Sequence, residues 1–340
     1  MITIDETLER FASCGAEFRG GLSNHGPMAA DALIALGRGE AVDPWVDRYI
    51  TLLDEAARPS VRIDSAEWRA ALGDYSRLAD WEQLFERELA ERPWRAVLAE
   101  WTPRLAPGFL AAATHGMLRT AHAVRGLSGG ESPARVAELG RGLGYWAARY
   151  FALPEAPSGR ALPLPEALRA VPIVPPEERK PSYLITQAVE RLANRPEFAP
   201  TANLLDTSGD IDELLSEFTV TFARQYLESA ATSPIAFIHS VTAPSAIRML
   251  APYIAAETTR DLVRYGWQAS AAFIAVYSLP DPPAIPAAPD VSEDDLADRA
   301  VASGNEHAIK FTEACLREHR IRPNPVYLAA AADVCARLRA

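Results

Sequence analysis

Lys180 and Lys310 are the only lysines among the 34 basic side chains of this 340-residue chain; arginine fills every other position, and there are six histidines. A lysine kept where arginine is the rule draws attention to chemistry that only an amine can do. Once buried it can salt-bridge, act as a base with a depressed pKa, or react as a neutral amine with carbon dioxide. The resulting carbamate is an anionic oxygen ligand, a carboxylate on a long stem. His307 and Lys310 share NEHAIKFTEACLREH, three residues apart and so about one helical turn from each other.

The remaining histidines fall in other segments. His25 lies in SNHGPMAADALIALG, where Pro27 suits a first helical turn and Ser23 or Asn24 can cap it. A histidine that helps to cap that helix is the competing explanation. His115, Arg119 and His122 lie in AAATHGMLRTAHAVRGL, which has helical spacing. At about 100° per residue, His122 returns to within about 20° of His115 but about 10 Å further along the axis, so both cannot ligate one ion. One of them is expected to be a ligand and the other a supporting or substrate-facing group. His239 sits in the apolar SPIAFIHSVTAPSAIRML, where a satisfied core histidine is the ordinary outcome. His319, between Arg317 and Arg320 near a helix end, reads as a solvated cation favoured by the helix dipole, and Lys180 as a surface residue. Taken together, four or five imidazoles and one hard anionic oxygen suit iron(II), with manganese or zinc as alternatives. Non-haem iron oxygenation is the reaction class that this donor set suggests.

Helices must position these groups. Ala, Leu, Arg and Glu dominate, and apolar residues recur at helical spacing, so an all-α fold is predicted as a single large multi-helix domain. In the 74–92 segment, Leu78, Trp81, Leu84, Phe85 and Leu89 form one apolar stripe that ends at Pro93. Further helices are predicted around 27–37, 43–57, 105–126, 132–151, 182–194, 210–230, 258–278, 291–303, 305–320 and 324–338. Two proline-rich loops, 153–181 and 280–289, interrupt them. One domain spanning 1–340 is expected, because candidate site residues lie on both sides of both loops.

Composition narrows the function. The formal charge is −11, from 34 basic and 45 acidic side chains, and 49% of residues are hydrophobic. A surface of that sign repels phosphate backbones and anionic lipid, so neither nucleic acid nor membrane is an expected partner. Cys14, Cys315 and Cys335 have no C-x-x-C spacing, which argues against a disulfide framework or a cysteine zinc site. The amino-terminal MITIDETLERFASCG has no basic and apolar leader pattern, and no apolar run reaches about 18 residues, so a cytoplasmic location is expected. Gly126-Leu127-Ser128-Gly129-Gly130 satisfies G-x-S-x-G, but a nucleophile elbow needs a strand before it, and a glycine-ended helix explains the pattern better. Gly140, Gly142 and Gly144 do not complete a dinucleotide fingerprint, and there is no P-loop and no H-E-x-x-H.

Five segments resemble the questin oxidase-like family: SNHGPMA at 23–29, GDYSRLADWEQLFERELAERPWRAVLAEWTPRLAPGF at 73–109, THGMLRTAHAVR at 114–125, IHSVTAP at 238–244 and HAIKFTEA at 307–314. They run in order over nearly the whole chain. The resemblance implies a helical oxidoreductase in which fungal members cleave anthraquinone-type polyketides by Baeyer–Villiger-like or dioxygenase chemistry. It also implies a mononuclear non-haem iron held by His25, His115, His239 and His307, with Lys310 carboxylated. Fungal relatives carry a second histidine where this chain has Arg119, and a tyrosine at His122, which leaves His115 and His122 as two candidates for one ligand. Arg119 and His122 are then the catalytic candidates, Arg119 holding a phenolate or carboxylate of an aromatic substrate that reacts with dioxygen. The family is linked to NADPH, for which no binding motif is visible. Tyr253, Tyr265 and Trp267 are candidate pocket aromatics, although core packing is their more ordinary role. Two rival functions remain, a metal-dependent hydrolase with a carbamylated lysine and a non-catalytic binder of aromatic ligands.

Overall fold

The computed structural model describes residues 3–339, and the chain is all-α. Among these residues the only paired strands are Glu17–Phe18 and Leu22–Ser23, a two-rung antiparallel ribbon. By its contacts the chain divides into two compact units, one of residues up to Ala152 with Ala246–Thr258, the other of Leu153–Ser245 with Thr259 onward. The first boundary coincides with the start of the 153–181 proline-rich stretch.

In the first unit, the Pro133–Ala148 helix packs against both the Leu78–Glu91 and the His115–Ser128 helices. Two glycines explain how closely. A Cβ on Gly116 would come within 2.5 Å of Trp146 Cα, and one on Gly142 within 2.9 Å of the Thr120 backbone. The glycines around 140–144 therefore serve backbone contact between helices. The predicted stripe of the Leu78–Glu91 helix buries Trp81 and Phe85 against Trp68 and Trp101 in edge-to-face contacts. The indole N–H of Trp81 donates to Ala71 O, and that of Trp101 to Glu88 Oε2, so no buried donor is left unsatisfied there. Tyr253 also belongs to this unit, packed on Trp94 with Arg95 over its ring.

In the second unit, the Ile211–Ser229, Glu293–Ser303, Glu306–Ile321 and Pro325–Arg337 helices share a core. Glu318 is buried there and accepts from Ser245 Oγ at 2.5 Å and Thr219 Oγ1 at 3.3 Å. The 153–181 stretch holds a short α-helix, Leu164–Arg169, and a 3-10 turn, Pro176–Glu178, and is tied down by Val174 N–H donating to Ala275 O at 2.8 Å. Trp267 is fully buried and donates to Thr201 O, and Tyr265 lies under the Arg264 guanidinium; both fill packing roles.

The predicted 105–126 helix is the main departure. Leu105 ends the preceding helix, a 3-10 turn at Ala106–Gly108 and further turns follow, and the helix begins at His115. The Pro234–Leu250 helix was not foreseen, because Pro244 sits inside it and breaks the pattern expected of a helix. The G-x-S-x-G segment forms the end of the His115–Ser128 helix, with Gly129 as its C-cap and the Ser128 hydroxyl donating to Arg125 O, as expected for a glycine-ended helix. No described helix is long and apolar enough to cross a membrane.

Candidate metal centre

His25 stands at the start of the Gly26–Ala35 helix. Asn24 fixes the turn: its Oδ1 accepts from Gly26 N–H at 2.8 Å and its Nδ2 donates to Gly15 O at 2.9 Å. The His25 backbone N–H is taken by the Tyr49 hydroxyl. With the turn held by other groups, the His25 ring makes no cap and lies across the fold, its Nε2 at 2.8 Å from Nε2 of His115.

His115 owes its position to an unusual turn. Ala112, Ala113 and Thr114 all have positive φ, at 49°, 54° and 76°. For residues with a Cβ, each such conformation costs about 1–2 kcal/mol and persists only where the surroundings impose it. The turn brings the Ala112 carbonyl beneath the imidazole, 2.5 Å from His115 Nδ1. A carbonyl can only accept, so Nδ1 carries the proton and Nε2 of the neutral ring presents its lone pair. This is the arrangement that metal-ligating histidines commonly have. At metal–nitrogen bonds of about 2.0–2.1 Å, two adjacent imidazole ligands at a right angle stand about 2.9 Å apart. The 2.8 Å between the two Nε2 atoms fits that spacing as well as it fits one hydrogen bond between the rings.

His122 and Arg119 have other partners. Nδ1 of His122 lies 2.7 Å from Asp31 Oδ2, which also receives Arg125. Burial pushes the Asp31 carboxyl up, but Arg125 and His122 outweigh it and hold it below the usual carboxylate range. Because Asp31 lies within the helix that His25 precedes while His122 and His115 share another, the two helices are joined by two rungs, His25 to His115 and Asp31 to His122. Arg119 is buried and grips Glu138 with Nε at 2.6 Å and a second nitrogen at 2.9 Å. The two catalytic candidates, Arg119 and His122, are thus each committed to a carboxylate on a neighbouring helix.

In the second unit, His239 on the Pro234–Leu250 helix meets His307, ring centroids 5.9 Å apart and nearly perpendicular. His307 enters the Glu306–Ile321 helix under the Asn305 cap, whose side chain accepts from the N–H groups of His307 and Ala308. Its Nδ1 lies 3.4 Å from Glu306 Oε1. Lys310, one turn further, is 2% exposed and makes no hydrogen bond or ion pair among the described residues. Burial pulls its pKa down to about 7, opposed only by the charge of Glu306. His319 is partly buried, and its Nδ1 lies 3.1 Å from Asn324 N and 3.0 Å from Asn324 O, at the turn into the last helix.

The structure therefore brings His25 together with His115 in one unit, and His239 with His307 beside Lys310 in the other. Asp31, Glu138 and Glu306 escaped the sequence reading. Glu306 was legible from its four-residue spacing to Lys310, whereas the other two are partners across helices. No known family model matches the chain, and neither does any curated protein.

Proposed function

We propose that the chain is an oxygen-dependent oxidoreductase acting on an aromatic or polyketide-type substrate. Its one metal ion would be held by His25, His115, His239, His307 and the carboxylated form of Lys310. The observation that carries this reading is the His115 ring, whose Nδ1 is fixed on the Ala112 carbonyl by a strained turn so that Nε2 is left as a donor facing Nε2 of His25. Each of His25, His115 and His307 offers one ring nitrogen as a ligand atom. Lys310 supplies what neutral imidazoles lack. A buried amine held near neutrality adds carbon dioxide, losing one proton, and becomes an anionic oxygen donor. Iron(II) in such a nitrogen and oxygen set supplies dioxygen chemistry when bound, with manganese or zinc as competitors for the same donors.

The chain's own residues divide the remaining work. Ala112 O holds the His115 tautomer, Asn24 holds the turn that carries His25, and Asn305 holds the helix start that carries His307. The approach of His115 Nε2 to His25 Nε2, which His122 does not share, favours His115 over His122 as the ligand from that helix. Arg119, clamped on Glu138, fixes the His115 helix against its neighbour and so acts as a positioning residue. The order of the sequence segments that resemble the questin oxidase-like family supports the same reaction class. Three free cysteines accord with a reducing, cytoplasmic setting in which iron stays divalent.

Oxygen uptake by protein loaded anaerobically with iron(II), offered phenols, hydroxyquinones and anthraquinones with and without NADPH, tests the reading. Substrate-dependent uptake that falls in Lys310→Ala and returns in part with added short carboxylates is the expected result. No uptake with any aromatic, or two zinc ions per chain with ester or amide hydrolysis, overturns it.

A further inference from the structure

The 280–289 stretch, PDPPAIPAAP, joins two helices of the second unit, and four of its five prolines are regularly placed: Pro280, Pro283, Pro286 and Pro289 recur at every third position. Proline fixes its own φ at about −65° and keeps the residue before it out of the α region. From Leu279 to Pro289 only Ala284 and Ala287 escape both restrictions. Such a chain favours polyproline II, a left-handed helix of about three residues per turn with no internal hydrogen bonds.

The structure has these properties. Between the Ala256–Tyr277 and Glu293–Ser303 helices, residues 282–289 form no helix, strand or turn. No backbone N–H or carbonyl from Leu279 to Ala288 makes a hydrogen bond among the described residues. Exposure follows the same period. Pro280, Pro283 and Pro286 are exposed, whereas the next face, Leu279, Ile285 and Ala288, is half-buried, with Pro282 the exception. The segment therefore rests on one face and presents a ridge of prolines about 9 Å apart on another, at about 3.1 Å per residue. Stiffness alone does not require this register. The 153–181 stretch has its prolines at uneven intervals and is held by its backbone, with Ala156, Leu162 and Val174 N–H donating to carbonyls outside it.

Charge is one-sided along the ridge. From Tyr265 to Asp298 there are six acidic side chains and no basic one. Asp281 and Asp290, at the two ends of the ridge, are exposed and have no hydrogen bond or ion pair among the described residues. Arg179, which comes close to this segment, is turned back onto the carbonyls of Val174 and Ser278.

We propose that the 280–289 segment is a docking ligand for a polyproline-binding protein domain, its exposed prolines seated between the aromatic rings of a groove with a basic rim. Aromatic grooves of this kind take a preformed polyproline helix at low ordering cost, and here a helix anchors each end. An acidic rim would be repelled by Asp281 and Asp290. None of these residues belongs to the metal centre.

Titration of isotope-labelled SH3, WW and EVH1 domains, chosen in pairs with basic and acidic groove rims, with the full-length protein tests this by nuclear magnetic resonance. Saturable shifts confined to the aromatic groove are expected for basic-rimmed domains, weakening with added salt. Pro286→Ala combined with Ala287→Pro keeps the proline count but breaks the register, and should weaken binding at least tenfold; Asp281→Asn with Asp290→Asn should also weaken it. The proposal is overturned if no domain binds at millimolar concentration, if the register variant binds as well as the parent, or if acidic-rimmed domains bind more tightly. A parent dimer that the register variant abolishes would give the ridge to a second copy of this chain and overturn it as well. Unchanged thermal midpoints of both variants separate loss of binding from loss of fold.

Discussion

Lys310→Met should stabilise the metal-free protein while destroying the proposed metal site. The amine is buried without a partner among the described residues, and its pKa falls from 10.5 to about 7. That difference corresponds to about 5 kcal/mol by which the native chain disfavours the ammonium form. Below about pH 7 the lysine is protonated in both the native and the unfolded chain, so the full penalty applies. As pH rises through about 7 the native lysine loses its proton while the unfolded one keeps it, so the parent gains stability up to about pH 10. Methionine has a similar length and no charge, and avoids the penalty at every pH. Thermal unfolding of metal-free protein in carbonate-free buffer reads this directly. For a chain of this size, about 5 kcal/mol raises the midpoint by about 7 °C at pH near 6, and the gap should shrink to a degree or two at pH near 9.5. A variant that melts below its parent near pH 6, or a gap independent of pH, refutes the reasoning. Loss of metal in the same stabilised variant would mark Lys310 as a residue kept for function at the expense of stability.

The other predictions concern the frame around the site. Arg119→Met strands Glu138 in a buried position and should cost about 3–5 kcal/mol in urea unfolding, most of it recovered in Arg119→Met with Glu138→Leu. A loss of kcat/KM with unchanged stability would instead make Arg119 a substrate ligand. Ala113→Gly relieves a residue at φ 54° and should gain about 1 kcal/mol, while metal affinity falls because the Ala112 carbonyl is held less firmly. The lowered Asp31 carboxyl contributes stability that is present above its unfolded value and is lost as pH falls through its native one. Asp31→Asn should therefore flatten the acid limb of a stability profile measured between about pH 5 and pH 2.

Much of the frame was legible because amphipathic periodicity is a local signal: the stripe from Leu78 to Leu89 and the capped helices after Ser292, Asn305 and Asn324 fall where the sequence places them. The approach to His115 was not. Ala-Ala-Thr carries no glycine or asparagine to announce left-handed backbone, and good helix formers there imply continued helix, so tertiary packing must override local preference. Lys310 stood out by composition alone, and burial of a lysine without an ion pair gives that oddity a physical cost. Arg119 and His122 show the reverse case. Their helical faces were readable, yet the carboxylates that occupy them, Glu138 and Asp31, lie on other helices and leave no mark in the spacing of the Arg119 segment.

The central claim is that both histidine pairs and Lys310 serve one ion. Metal analysis of protein loaded anaerobically with iron(II) and then desalted tests it most directly, for the parent, His115→Ala and His307→Ala. The account predicts about one iron per chain in the parent and near-complete loss in either variant, since each removes a ligand from the same ion. Retention of full iron by either variant, or no iron in the parent, would contradict it.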